Sequence, residues 1–173
     1  ALRPGAVVLN NAVDVMASES WACALLLNRS FACWGLNTYG QFADGTLNSS
    51  PVPVFSPLTG VVGLSGRFRS TLCAVFQSGE LSCWGNSGFG ASGDGTFRNR
   101  VSVLPFMSLT SAVSVSVGSA SLCAVMTSGR LKCWGGNRNG QLGNGMLYNE
   151  LAPVRVSGFT GNVTSLSLAL SHT

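Results

Sequence analysis

Residues 73–96 read CAVFQSGELSCWGNSGFGASGDGT: two cysteines ten positions apart, then Trp-Gly, a glycine-rich run and Asp-Gly-Thr. Alone, this pattern fits a metal site, a catalytic loop or a piece of architecture. Fifty residues upstream stands CALLLNRSFACWGLNTYGQFADGT (23–46), and fifty downstream CAVMTSGRLKCWGGNRNGQLGNGM (123–146). Cys23, Cys73 and Cys123 form one series, Cys33, Cys83 and Cys133 a second, and Trp34, Trp84 and Trp134 a third. Glycines keep the same period at 35, 85 and 135, at 40, 90 and 140, and at 45, 95 and 145. A residue recurring at a fixed period is explained first by the unit that recurs. Residues 1–173 therefore read as a single repeat segment with units at approximately 13–62, 63–112 and 113–162 and partial units at both ends.

Composition narrows what such units can be. Hydrophobic residues make up 46% of the 173 and charged residues only 9%, far below the roughly 25% of an average soluble domain. The surface must then be built from Ser, Thr, Asn, Gly and backbone. The net charge of +4 comes from scattered basic residues, with RFR (67–69) and RNR (98–100) as the only clusters. Without an interleaved basic and aromatic stripe, nucleic-acid binding is not expected. The longest apolar run, WACALLL (21–27), is far short of a membrane span. ALRPGAVVLNN lacks the basic start and long apolar stretch of a signal peptide.

The local pattern is that of strands. VSVSVGSASLCAV (113–125) opens on strict Val/Ser alternation, which puts valines on one face of a pleated ribbon and serines on the other. CAVFQSGELSC and CAVMTSGRLKC each give two short apolar strands around a three-residue connection ending in Gly79 or Gly129, as in a type I turn closed by a left-handed glycine. The first unit has Leu27-Asn28-Arg29 there, which leaves its turn unspecified. With a three-residue loop, Val75 faces Leu81, Ala74 faces Ser82, and Cys73 falls opposite Cys83 at a non-hydrogen-bonded position, where side chains approach closely enough for a disulfide. The expected bridges are Cys23 with Cys33, Cys73 with Cys83, and Cys123 with Cys133. Each closes a loop of about eleven residues and stabilises by roughly 2–3 kcal/mol on the chain-entropy model.

The competing readings are free core thiols and a metal site. A metal would call for close Cys-x-x-Cys pairs and histidines, whereas the spacing is Cys-x9-Cys three times and the only histidine is His172. No metal and no cofactor is expected. Persistent disulfides imply an oxidising compartment, so an extracellular or cell-surface location is expected. Candidate glycosylation sequons at Asn28 (NRS), Asn48 (NSS) and Asn162 (NVT) agree with it.

The three units quoted above resemble repeats of the regulator-of-chromosome-condensation family, in the cysteine-bearing form of secreted and bacterial-type members. The resemblance implies an all-β fold of β-propeller blades, one four-stranded blade per repeat, seven blades to a closed propeller. LSLALSHT (166–173) is similar to the lead-in of a further repeat. This sequence departs from the family pattern at Phe42-Ala43 (for Leu-Gly), Ala91-Ser92 (for Gln-Leu) and Asn144 (for Asp). The nucleotide-exchange and chromatin roles of nuclear members are not expected here, because those members work in a reducing compartment.

The glycine-rich loops read as blade turns. GFGASGDG resembles a calcium-binding nonapeptide but does not recur internally, and no Gly-Lys-Ser/Thr follows GNSGFG or GGNRNG as a phosphate loop requires. Trp34, Trp84 and Trp134 are expected to pack between blades, the other reading being sugar-stacking platforms. Trp21, Tyr39 and Phe89 fall outside the series and are expected at the surface. Catalysis finds no Ser-His-acid set and no Gly-x-Ser-x-Gly elbow. Of the carboxylates Asp14, Glu19, Asp44, Glu80, Asp94 and Glu150, Asp44 and Asp94 sit in equivalent Asp-Gly turns, where the side chain shapes the turn. The sequence therefore points to a non-enzymatic, disulfide-stapled propeller module, a structural or protein-interaction component of an extracellular or cell-surface assembly. Its expected partners are other blades of the same or neighbouring chains. The alternative is a ligand-binding propeller, lectin-like or inhibitor-like, that presents its loops to a partner, glycans included. Three units of a probable seven are not expected to close a propeller unaided.

Overall fold

The computed structural model describes residues 9–67, 70–103, 109–159 and 162–168, and all regular structure among them is β-strand. β1 (Ala12–Ala17), β2 (Trp21–Leu26), β3 (Phe31–Gly35) and β4 (Ser50–Phe55) make one antiparallel sheet in chain order. β5 (Val61–Arg67), β6 (Thr71–Phe76) and β7 (Leu81–Gly85) make the second, with Arg100 bridged to Gly85 where the fourth strand starts in the other sheets. β8 (Ala112–Val117), β9 (Ser121–Met126), β10 (Leu131–Gly135) and β11 (Glu150–Arg155) make the third. Each sheet is one blade, and the first strands β1, β5 and β8 bring neighbouring blades together. The all-β blade architecture expected from the repeats is the one the chain adopts.

The hairpin register follows from the turn. Val75 pairs with Leu81, Ala74 with Ser82 and Cys73 with Cys83, and the first and third blades repeat this register. Gly79 and Gly129 take φ of 81° and 71°, the left-handed conformation a glycine reaches without steric cost. The unspecified first turn is the same turn: Arg29 takes φ 64°, and its N–H donates to the Leu26 carbonyl at 2.8 Å as Gly79 does to Phe76.

Alternation along the middle strands decides which residue meets which blade. On β6, Leu72 and Ala74 point back to the first blade, where they join Trp21, Phe31, Cys33 and Phe42. Cys73 and Val75 point forward to Leu122, Ala124 and Trp134 of the third. Both faces are buried, which is why these strands read as continuous apolar runs. The Val/Ser alternation of β8 holds from Ser114 to Val117 but not at Val113. A bulge between Ala112 and Ser114 turns Val113 out to solvent, and the same bulge recurs in β1 and β5.

Three series of contacts fasten blade to blade. The turn carbonyls of Arg29, Gly79 and Gly129 accept from Val61, Ala112 and Val163, at 2.9, 2.9 and 3.1 Å. The hydroxyls of Ser65 and Ser116 accept from the N–H groups of Val117 and Leu168, at 3.1 and 3.0 Å. The indole N–H groups of Trp84 and Trp134 donate to the Gln41 and Ala91 carbonyls of the preceding blade, at 2.9 and 3.0 Å. These two tryptophans are 1% and 0% exposed, so their regular spacing reflects packing between blades. Residues 162–168 take part in the first two series and lay Leu166 and Leu168 over the Cys123, Cys133 and Leu142 face, the position of a following blade's first strand.

Trp21 corrects an expectation. It is buried between the first and second blades, close against Gly66, where an added Cβ would lie 2.7 Å from the indole. The equivalent residue of the second blade is Thr71. There the smaller side chain leaves a cavity of about 10 Å³, also lined by Phe89 and Leu122, room for a single water. Tyr39 is exposed as expected, and Phe89 is half-buried.

Candidate functional site

The cysteine pairs stand at the centre of each hairpin. Cys23 and Cys33, Cys73 and Cys83, and Cys123 and Cys133 have Sγ–Sγ distances of 2.03, 2.07 and 2.07 Å, with Cα atoms 4.0 Å apart in each. That close approach is the mark of a non-hydrogen-bonded antiparallel pair. Every one of these cysteines is buried, and each pair faces the next blade or, for Cys123 and Cys133, residues 166–168.

The long connections after β3, β7 and β10 hold the residues a binding or catalytic site would use. Each connection winds around one buried polar side chain. Asn37 accepts the Phe42 N–H at 3.0 Å and donates to the Thr46 carbonyl at 3.1 Å. Asn137 does the same with Leu142 and Met146, at 3.0 and 2.9 Å. In the second blade the shorter Ser87 reaches the Thr96 carbonyl only at 3.5 Å, and Ser92 supplements it: Ser87 Oγ accepts the Ser92 N–H at 3.1 Å and lies 2.8 Å from its hydroxyl. This accounts for Ala91-Ser92, since a leucine at 92 would keep the backbone N–H but lose the hydroxyl that bonds Ser87 and Asp94. The series Asn37, Ser87 and Asn137 was visible in the period but looked like ordinary turn composition. Ala43 keeps the loop shape of Gly93 and Gly143, with φ 53° against their 71° and 62°.

The acidic turns are structural anchors. Asp44 Oδ1 accepts from the Thr46 N–H and hydroxyl, both at 2.9 Å. Asp94 accepts from the Thr96 N–H and hydroxyl at 2.9 and 2.8 Å, from the Ser92 hydroxyl at 2.8 Å, and from Arg100 Nε at 2.8 Å, with Arg100 Nη2 in contact as well. Burial opposes ionisation of Asp94, but the bonds from Thr96, Ser92 and Arg100 outweigh it and lower its pKa to about 2. Such a carboxyl cannot act as a general acid near neutral pH. At the third position Asn144 donates to Glu150 Oε1 at 2.9 Å and accepts the Met146 N–H at 3.1 Å. The departure from Asp is thus matched to its neighbour, because a carboxylate at 144 would face the Glu150 carboxylate. His172 lies outside the described residues, as do Phe68 and Arg69 of the RFR cluster. Among the described residues no three His, Cys, Asp or Glu side chains converge as metal ligands, and no helix is long and apolar enough to cross a membrane.

The three sequon asparagines are all exposed. Asn28 sits in the β2–β3 turn, its Oδ1 taking the Ser30 N–H at 3.1 Å and hydroxyl at 2.7 Å. Asn162 lies against the equivalent turn glycine, Gly129. Asn48 is in the loop at the other end of β3. The same loops carry an apolar series that the sequence reading passed over: Leu47, Phe97 and Leu147, 53%, 56% and 68% exposed, with Tyr148 exposed beside the last. Trp34 is only half-buried, and its indole makes no hydrogen bond to a described residue. Gln141 is exposed, whereas its counterpart Gln41 is fully buried beneath Trp84.

Residues 112–141 and 128–173 match models of the regulator of chromosome condensation (RCC1) repeat. No curated protein matches the sequence significantly. Among solved structures the chain is similar to yeast RCC1 (Prp20) bound to Kap60, with a TM-score of 0.77 and 21% identity over 93% of this chain and 38% of that one. It is similar to Prp20p from Saccharomyces cerevisiae, solved with an account of its binding to Gsp1p and histones, with a TM-score of 0.74 and 18% identity over 93% and 42%. Human WBSCR16 follows, with a TM-score of 0.54 and 18% identity over 94% and 57%. The chain thus spans about two fifths of the Prp20 structures, and likeness at these identities concerns the fold. Residues 112–173 thus match the regulator of chromosome condensation repeat, and the chain as a whole shares the blade fold of these propeller structures.

Proposed function

We propose that this chain is a non-enzymatic, disulfide-stapled propeller module serving as a structural or protein-interaction component of an extracellular or cell-surface assembly. The observation that carries this reading is the placement of six cysteines as three buried pairs, one per blade, inside the seams. Bridges that persist at such positions belong to oxidising compartments. Exposure of Asn28, Asn48 and Asn162 supports the same compartment. The contact made twice within the chain, Trp84 on the Gln41 carbonyl and Trp134 on the Ala91 carbonyl, supports blade-on-blade packing as the means of interaction. The yeast relatives were solved with, or described as binding, proteins, which supports protein recognition as the class of activity. The test is the protein from its native source: surface labelling, glycosidase shift and non-reducing peptide mapping should find it outside the cytosol, glycosylated and bridged. A cytosolic protein with free thiols would overturn the reading.

The second reading, a ligand-binding propeller, is favoured by Leu47, Phe97 and Leu147 at matching loop positions. Periodic apolar exposure on a loop surface suits a partner that touches several blades at once. Glycan-array or pull-down binding by a monodisperse protein, lost on Phe97→Ser, would favour this reading; self-association without a ligand would favour the first.

A further inference from the structure

Lys132 on β10 and Arg155 on β11 are directly opposite one another in the antiparallel register. Like charges at opposed positions repel and destabilise the strand pair. The first blade avoids this, with Ala32 opposite Phe55. Arg130, at the end of the turn before β10, adds a third cation to the same cleft, a recess of about 320 Å³ also lined by Ser111, Thr127 and Ser128. Three of the chain's ten basic residues thus border one cleft, and none of them forms an ion pair among the described residues. Glu80, at the turn position of the second blade that Arg130 holds in the third, bonds Ser78 within its own turn. Lys132 lies two residues before Trp134 and shares its face, away from the Cys133 seam, so the cleft does not depend on what packs over that seam.

We propose that this cleft binds a tetrahedral oxyanion, sulfate or phosphate, free or as an ester on a larger molecule. An anion between the opposed cations turns their repulsion into two charge-assisted contacts. Three cations and three hydroxyls around one recess suit an anion with several oxygens in different directions better than a planar carboxylate, which a single guanidinium fork can satisfy. The ligand is one anionic group and not a polyanion track. Arg98 and Arg138 lie in the loops at the opposite end of the strands, and Arg29 is engaged by Gln77. The inference is independent of the proposed compartment and assembly.

The test is titration of the intact protein with sodium sulfate, sodium phosphate, a monosaccharide 6-sulfate and sodium acetate, each at constant ionic strength set with chloride. Saturable binding or a rise in Tm is expected with the tetrahedral anions and not with acetate. Lys132→Gln with Arg155→Gln should melt no lower than wild type without ligand, since the repulsion is gone, and should bind roughly tenfold or more weakly. Arg138→Gln, which removes an equal charge elsewhere, should bind as wild type. If the double variant misfolds, Arg130→Gln should show the same loss. Binding of the 6-sulfate alone would identify an ester as the source. No saturable response beyond chloride, equal binding of acetate, or equal weakening by Arg138→Gln would overturn the proposal.

Discussion

Valine at Gly79 strikes a hairpin turn and a blade seam together. Gly79 holds φ 81°, its N–H closes the turn on Phe76, and its carbonyl accepts the Ala112 N–H of the next blade at 2.9 Å. A Cβ there would lie 3.2 Å from the Ser111 nitrogen and 3.3 Å from its Cα. The left-handed conformation alone costs a non-glycine residue about 1–2 kcal/mol, and the two γ-carbons of valine would press further into Ser111. Together these should destabilise Gly79→Val by about 2–3 kcal/mol, or about 5–10 °C in Tm for a chain of this size. Gly79→Ala should lose about half as much. Arg29 supplies an internal check, because it holds the same conformation with an unbranched side chain. Arg29→Gly relieves that conformation but gives up the bond to Gln77, so it should lie within about 1 kcal/mol of wild type. The assay is thermal and denaturant unfolding of the oxidised protein, with the exposed Ser165→Val as control. If Gly79→Val melts with the control, or Arg29→Gly loses as much as Gly79→Val, the turn and seam are not coupled as described.

Acid should unfasten the second blade's loop. The Asp94 carboxyl has a folded value near 2, below its ordinary 3.8, so its stabilisation is fully present above the ordinary value and fades as pH falls toward 2. Asp94→Asn should cost roughly 1–2 kcal/mol at pH 7, allowing for the water that reaches Arg100, and nothing near pH 2, as read from urea unfolding across that range. Asn144→Asp should destabilise by about 1 kcal/mol by facing Glu150, and Glu150→Arg on that background should restore stability by copying the Asp94–Arg100 pair, a coupling a double-mutant cycle measures. Trp84→Phe should cost about 1 kcal/mol by removing the bond to the Gln41 carbonyl, while Trp34→Phe should cost less, because the Trp34 indole has no partner among the described residues. Non-reducing peptide mapping should recover only the bridges 23–33, 73–83 and 123–133.

The repeat, the hairpin register and the cysteine pairing were legible because each rests on counting: a period of fifty and a three-residue turn leave one alignment for Cys73 and Cys83. Residues that depend on a neighbouring blade were harder to read. Trp21 looked like a surface outlier, since nothing in its own unit announces the space against Gly66 that it fills. Val113 belonged to a clean alternation, and only the inner-strand bulge, a feature of pairing with β9, turned it outward. Asn144 read as a lapse from pattern until Glu150, six residues on, proved to be its partner. The Lys132–Arg155 opposition was invisible for a related reason: it joins strands separated by a long loop, and its register is set by the bulge between Cys133 and Gly135.

Burial of all six sulfurs within the seams has a kinetic consequence. A reductant cannot approach Cys23–Cys33 or Cys73–Cys83 until two blades part, so the reaction must wait for that opening. At high thiol concentration the rate of bridge loss should cease to depend on the reagent and become the rate of blade separation itself. The disulfides would then serve as built-in clocks, one for each seam, each timing how often its two walls come apart.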